Sequence, residues 1–157
     1  MSNSLQAQIK RAHPFEIPQE EVHLNIQRTY GVLMGPTHKL LKQHQLSPPL
    51  YNILRILRGI GRDGLPCSQI AERMVTREPD ITRLVDRLES AGWVKRDRST
   101  KDRRVVTVTL TTSGKKVVNK IDKPMEELHR EILGHLTKKE MVELNRLLVK
   151  ARQAFED

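Results

Sequence analysis

The chain holds a single cysteine, Cys67, so no disulfide can form within it and packing alone must hold the fold. It also lacks any apolar run near the roughly 18 residues of a membrane span. Its opening, MSNSLQAQIKRAHPFEIP, has no apolar stretch of the kind that marks a secretory signal, so a cytoplasmic location is expected. No internal repeat or low-complexity segment is present. Enzymatic signatures are missing too: no glycine-rich phosphate loop follows a strand, no G-x-S-x-G occurs, and no carboxylate pair stands out as acid and base. The sequence therefore reads as a non-enzyme. Neither CxxC nor HExxH occurs, and His38/His44 and His129/His135 are each six apart, which does not put a pair on one helical face. No metal or other cofactor is expected.

What is abundant is positive charge. Lys and Arg outnumber Asp and Glu by 28 to 19, a net charge of +9 on 157 residues. That excess favours a polyanionic partner, nucleic acid or an anionic membrane surface, without choosing between them. With 37% hydrophobic and 30% charged residues, the length suits one cored domain.

Pro14 and Pro18 bracket an N-terminal stretch, residues 1–18, that reads as an irregular arm. From Gln19 to Gln45 the apolar residues Val22, Ile26, Tyr30, Val32, Leu33, Leu40 and Leu41 keep near-helical spacing, and Gly35-Pro36 predicts a kink or a split. "LSPPLYNILRIL" offers Ser47 as N-cap and Pro48 as first helical residue of a second helix, closed by Gly59, Gly61 and Gly64. A short helix over SQIAERM comes next. Thr76 is then placed to cap a further helix through REPDITRLVDRLESAG, with Pro79 in its first turn and Gly92 as its left-handed stop. Ile81, Leu84, Val85 and Leu88 give that helix one buried side and leave Asp80, Thr82, Arg83, Asp86 and Arg87 outside. Two short helices in tandem, the second polar outside, form the helix-turn-helix pattern. A β-hairpin follows, from Trp93-Val94 over a charged tip and back through Val106, Val108 and Leu110. A long helix entered near Thr111 or Thr112 and strained by Pro124 leads to a last helix, opened by a Thr137/Glu140 capping box and carrying Met141, Leu144, Leu147, Leu148 and Ala151 on a narrow apolar face.

From Lys95 to Arg104 the hairpin carries six cations against two carboxylates, a local +4 in ten residues. Such a loop repels itself unless an anion lies opposite; the plainer reading is a solvated turn that aids solubility. With the preceding helix in a major groove, a hairpin of this length reaches the flanking phosphates and lets one arginine enter the minor groove.

The stretch ITRLVDRLESAGWVKRDRSTKDRRVVTVTLTTSGKK, with a D-x-R wing signature at Asp102-Arg103-Arg104 and L-T-x-x-G at Leu110 to Gly114, closely resembles MarR-type winged-helix regulators. The likeness extends more loosely from about Gln19 to the C-terminus. It implies a mainly α fold with a small β-hairpin wing: a winged helix-turn-helix lobe over 47–110, and dimerisation helices over 19–46 and 111–157. It further implies a two-fold dimer, repression as the default, minor-groove entry by Arg104 with Asp102 orienting it, and control by a small, often aromatic or phenolic, ligand in a crevice between the DNA-binding lobe and the dimer helices. His23, Arg28, Tyr30, His38, Tyr51 and Arg55 are candidates for lining that crevice, against core packing or plain exposure.

For DNA, Thr76, Arg77, Asp80, Thr82 and Arg83 are the groove candidates. Arg77 and Arg83 suit guanine edges, unless they pair with Glu78, Asp80 or Asp86. Arg98, Lys101 and Arg103 are assigned to phosphates or the wing. Three other readings stay open. One is a nonspecific or architectural nucleic-acid binder using the same basic wing. Another is a winged-helix domain used for protein contacts. The third is an oxidant sensor acting through Cys67, although family cysteines of that kind lie in the first helix and Cys67 does not.

Overall fold

The computed structural model describes residues 4–98 and 105–155, which fall into two compact units, Met1–Pro48 and Pro49–Asp157.

In the first unit the arm is not wholly irregular. Ser4 accepts a hydrogen bond from the Ala7 amide and caps a one-turn helix, α1 (Leu5–Gln8), that buries Leu5. Pro18 belongs to the next helix, α2 (Pro18–Lys42), because proline at the first helical position gives up an amide with no partner anyway. Arg11 fastens this arm: its guanidinium grips Glu20 of α2 at 2.5 and 3.4 Å, donates to the His13 carbonyl and lies 4.5 Å from the Phe15 ring centroid. No split occurs at Gly35-Pro36; α2 runs through Pro36 as one helix of 25 residues. A proline removes only one of the ladder's hydrogen bonds, and the turns on both sides carry the helix past it. Glu20 and Glu21 in its first turn and Lys39 and Lys42 in its last suit the helix dipole.

The second unit is a helical lobe with a hairpin. Helix α3 (Pro48–Ile60) begins at Pro48 as expected and buries Leu50, Tyr51, Ile53, Leu54 and Leu57. A 3-10 turn at Gly61–Asp63 leads to α4 (Cys67–Glu72) and then α5 (Ile81–Ser90). Thr76 does not cap α5, and Pro79 is not in its first turn. The N-cap is Asp80, whose carboxylate accepts from the Arg83 amide at 2.9 Å. Proline disfavours helical backbone at the residue before it, here Glu78, which tips the choice from a helix opened at Thr76 to one capped by Asp80, clear of Pro79. Ile81, Val85 and Leu88 of α5 are buried, and Gly92 has the left-handed φ of 72° expected of a helix stop.

Strands β1 (Val94–Arg98) and β2 (Val106–Leu110) pair antiparallel, in register from Val94 opposite Leu110 to Arg98 opposite Val106. Leu65 adds a single-residue bridge to Val108, with hydrogen bonds of 3.0 and 2.8 Å, that the sequence reading missed. Helix α6 (Thr112–Leu133) is capped by Thr111, passes through Pro124 and buries Val118, Ile121 and Met125. Helix α7 (Lys138–Gln153) opens with the Thr137/Glu140 capping box. None of its residues is buried, and Met141, Leu144, Leu147 and Leu148 stand exposed. No helix among the described residues is long and apolar enough to cross a membrane.

Candidate nucleic-acid interface

Helix α5 is amphipathic by sequence, and burying Ile81, Val85 and Leu88 turns Thr82, Arg83, Asp86 and Arg87 outward. Its N-terminus opens an outward depression of about 440 Å³ lined by Glu78, Pro79, Asp80, Arg83, Leu84 and Arg87. Thr76 and Arg77 are exposed on the connection that precedes the helix, which is steadied where the Val75 amide donates to Asn52 Oδ1 at 2.8 Å. The nearby carboxylates are engaged elsewhere: Glu78 accepts from the Thr76 hydroxyl, Asp80 caps the helix, and Asp86 pairs with Arg96. Among the described residues Arg77, Arg83 and Arg87 accordingly form no ion pair. Asp80 thus has a local structural role beside any contact with DNA. Asp80→Ala is expected to remove about 1 kcal/mol of stability through the lost cap. Asp80→Asn should retain most of it, as thermal unfolding of the two variants will check.

The wing stem is less cationic than its composition implies. Lys95 pairs with Asp97 at 2.6 Å. Arg96 reaches back to α5, with Nη1 2.5 Å from Glu89, Nη2 2.6 Å from Asp86 and 3.3 Å from the Thr82 carbonyl, while its backbone amide donates to Glu89 at 3.0 Å. Burial alone would lower the pKa of this guanidinium, but hydrogen bonds and attraction from Asp86 and Glu89 outweigh it and raise the pKa further. Arg98 is exposed and, among the described residues, forms no ion pair. Lys101, Asp102, Arg103 and Arg104 lie outside the described residues. In the sequence Arg96 stands only as one cation of a charge run. The available signal was Asp86 and Glu89 three residues apart on one helix face.

Of the ligand candidates, His23, Arg28, Tyr30 and His38 are exposed on α2; His23 contacts Gln27 and Arg28 donates to Gln8. Tyr51 is buried on α3, its hydroxyl has no hydrogen-bond partner among the described residues, and Arg55 one turn on stands 6.0 Å from the ring centroid. Cys67 is half-buried as the first residue of α4.

Residues 46–106, the segment that holds α5 and the wing stem, match the MarR family. The chain is 27% identical over 136 residues to the transcriptional repressor MdtR of Bacillus subtilis, covering 87% of this chain and 86% of that protein. It is 39% identical to a MarR transcription factor of Planctomyces limnophilus, whose crystal structure superposes with a TM-score of 0.66 over 86% of this chain and 98% of that one. Sco3205 of Streptomyces coelicolor, a MarR family regulator solved in complex with DNA, shares the fold at 21% identity, with a TM-score of 0.80 over 94% of each chain. The capped helix, the hairpin behind it and these likenesses agree: the chain belongs to the MarR family of winged helix-turn-helix transcriptional regulators.

Proposed function

We propose that the protein is a homodimeric, sequence-specific repressor that occupies a pseudo-palindromic operator and is released by a small aromatic or phenolic molecule. The observation that carries this reading is the set of guanidiniums Arg77, Arg83 and Arg87, which form no ion pair among the described residues, around the N-terminal half of a capped helix whose apolar side is buried. Arg77 and Arg83 read guanine O6 and N7, at about 1 to 3 kcal/mol of discrimination per bidentate pair. Thr76 and Thr82 flank them, and the first amides of α5 take a phosphate. Arg98, Lys101 and Arg103 hold backbone phosphates, while Arg104, oriented by Asp102, enters the minor groove.

Exposed apolar side chains favour self-association: Val22, Ile26 and Tyr30 on α2, and Met141, Leu144, Leu147 and Leu148 on α7, have the character of surfaces that another chain covers. A two-fold pair places half-sites roughly 10 to 10.5 base pairs apart. Repression is supported by the likeness to MdtR, itself named a repressor. The buried Tyr51 hydroxyl, which has no hydrogen-bond partner among the described residues and belongs to a ring beside Arg55, is the group best suited to hydrogen-bond a phenolic ligand.

Selection of bound duplexes from a random DNA pool, repeated with phenolic ligands and with oxidant, tests the reading. A palindromic consensus lost on addition of a ligand is expected. Indiscriminate recovery would instead mean an architectural binder, and loss only with oxidant would move the switch to Cys67. On the selected operator, Arg104→Ala should weaken binding about tenfold where the flanks are A·T-rich and narrow-grooved, and far less where they are G·C-rich. Equal losses on both flanks would exclude minor-groove insertion.

A further inference from the structure

We infer that Arg96 is a positioning residue that sets the angle between the wing and the recognition helix α5, and that it makes no DNA contact of its own. The inference rests on the DNA-binding reading above and deepens it. Arg96 is the middle residue of β1, and its contacts run along α5 from Thr82 through Asp86 to Glu89, residues that share one face of the helix. The planar guanidinium reaches all three at once, which an ammonium cannot. Its backbone amide is tied to the same Glu89, so strand and side chain are both held. Among the described residues the helix is also joined to the hairpin through the Ala91-Gly92 turn, the Trp93 amide on the Leu88 carbonyl, and the Thr111 hydroxyl on the Gly92 and Trp93 carbonyls.

Charge makes the same point. Arg96 with Asp86 and Glu89 carries a net −1, beside a surface proposed to bind a polyanion. As an electrostatic contribution to affinity the trio is unfavourable. Its effect must lie in geometry, because the reach of Arg98 to the wing tip depends on where β1 leaves α5.

The sign of one substitution separates the two roles. Glu89→Gln removes a negative charge, so electrostatics alone predicts tighter binding to every duplex. If Glu89 holds the wing through Arg96, operator binding instead weakens by about tenfold, as expected for a coupled pair, while binding to an unrelated duplex holds or tightens. Hydroxyl-radical footprints should then lose protection at the flanks and keep it in the half-site centres. Arg96→Lys should fail to restore the flanks. Glu89→Gln added to Arg104→Ala should bring no further loss, since the wing is already without its groove contact. Tighter binding of both duplexes, or a full additional loss in the Arg104→Ala chain, would overturn the inference.

A second measurement needs no DNA and separates failure of this inference from failure of the DNA reading. In a Cys67→Ser chain, spin labels on Arg87→Cys and Val106→Cys, diluted with excess unlabelled protein, report the distance from α5 to β2. Glu89→Gln should broaden that distribution; an unchanged one would refute the strut even if an operator is found. If the wild-type chain selects no operator while Glu89→Gln still broadens the distribution, only the DNA reading is refuted.

Discussion

Raising monovalent salt from about 50 to about 200 mM is expected to weaken operator binding about 10⁴-fold. The proposed dimer neutralises roughly four phosphates per subunit, through Arg98, Lys101, Arg103 and the α5 N-terminus. At about −0.9 per phosphate, the slope of log affinity against log salt is then near −7. The internal pairing of Lys95 and Arg96 sharpens this figure, because both are satisfied by Asp97, Asp86 and Glu89 before DNA arrives. If Lys95 and Arg96 also reached phosphate in each subunit, the slope would approach about −11. Fluorescence anisotropy titrations at five or six salt concentrations distinguish these values. A slope near −11 would mean that the internal pairs break on binding, and one shallower than about −3 would exclude the wing as a phosphate clamp.

The second large effect is on stability. Gly114→Ala is expected to destabilise the protein by about 3 kcal/mol, lowering its midpoint by roughly 6 to 12 °C at fixed protein concentration. Alanine normally improves a helix by up to about 1 kcal/mol over glycine, so propensity alone predicts the opposite sign. Sterics decide the matter here. A Cβ at Gly114 would overlap the Trp93 carbonyl oxygen and sit 2.8 Å from Leu110 Cδ1 and 2.9 Å from the Trp93 carbonyl carbon. That carbonyl cannot retreat easily, because it accepts from the Thr111 amide at 3.0 Å and from the Thr111 hydroxyl at 3.1 Å. The same hydroxyl reaches the Gly92 carbonyl at 2.8 Å and accepts from the Gly114 amide, so the end of α5, the start of β1 and the start of α6 are stitched at one point. Gly59 is the control: it lies inside α3 with nothing within 4 Å of an added Cβ, and Gly59→Ala should stabilise by about 0.5 to 1 kcal/mol. Thermal unfolding of both variants checks the pair of signs, and a neutral Gly114→Ala would refute the close-approach account.

Gly114 also illustrates how much of this protein can be read from its chain. The L-T-x-x-G motif marked the position as part of a family resemblance but supplied no reason for glycine. The reason is a backbone from the other end of the hairpin, 21 residues earlier, pressed against the helix start. The caps at Thr111 and Thr137 were legible because each satisfies amides within three residues of itself. The cap of α5 was misread for an equally local reason: Thr76 and Asp80 are both competent, and Pro79 between them settles the competition. The Leu65–Val108 bridge left no trace, since a single paired residue has no period.

The ion pairs divide in the same way. Arg77 and Arg83 stood in the sequence beside three carboxylates and could have been neutralised by them. Among the described residues they form no ion pair, because Asp80 turns to its own helix and Asp86 to Arg96. The fates of Asp86, Glu89 and Arg96 follow from a strand folding back along a helix, a relation that no spacing along the chain encodes.

By itself, then, the amino-acid sequence determined the order of helices, the hairpin, the buried stripes and the excess of cations, because periodicity, capping and charge act over one or two turns of backbone. Tertiary structure alone decided which cations are consumed internally and which face outward, and why an alanine cannot replace one glycine. Those outcomes depend on groups brought within 3 Å of each other by the closing of the chain, where direct contact sets hydrogen bonds and overlap, and where distance in sequence has no bearing.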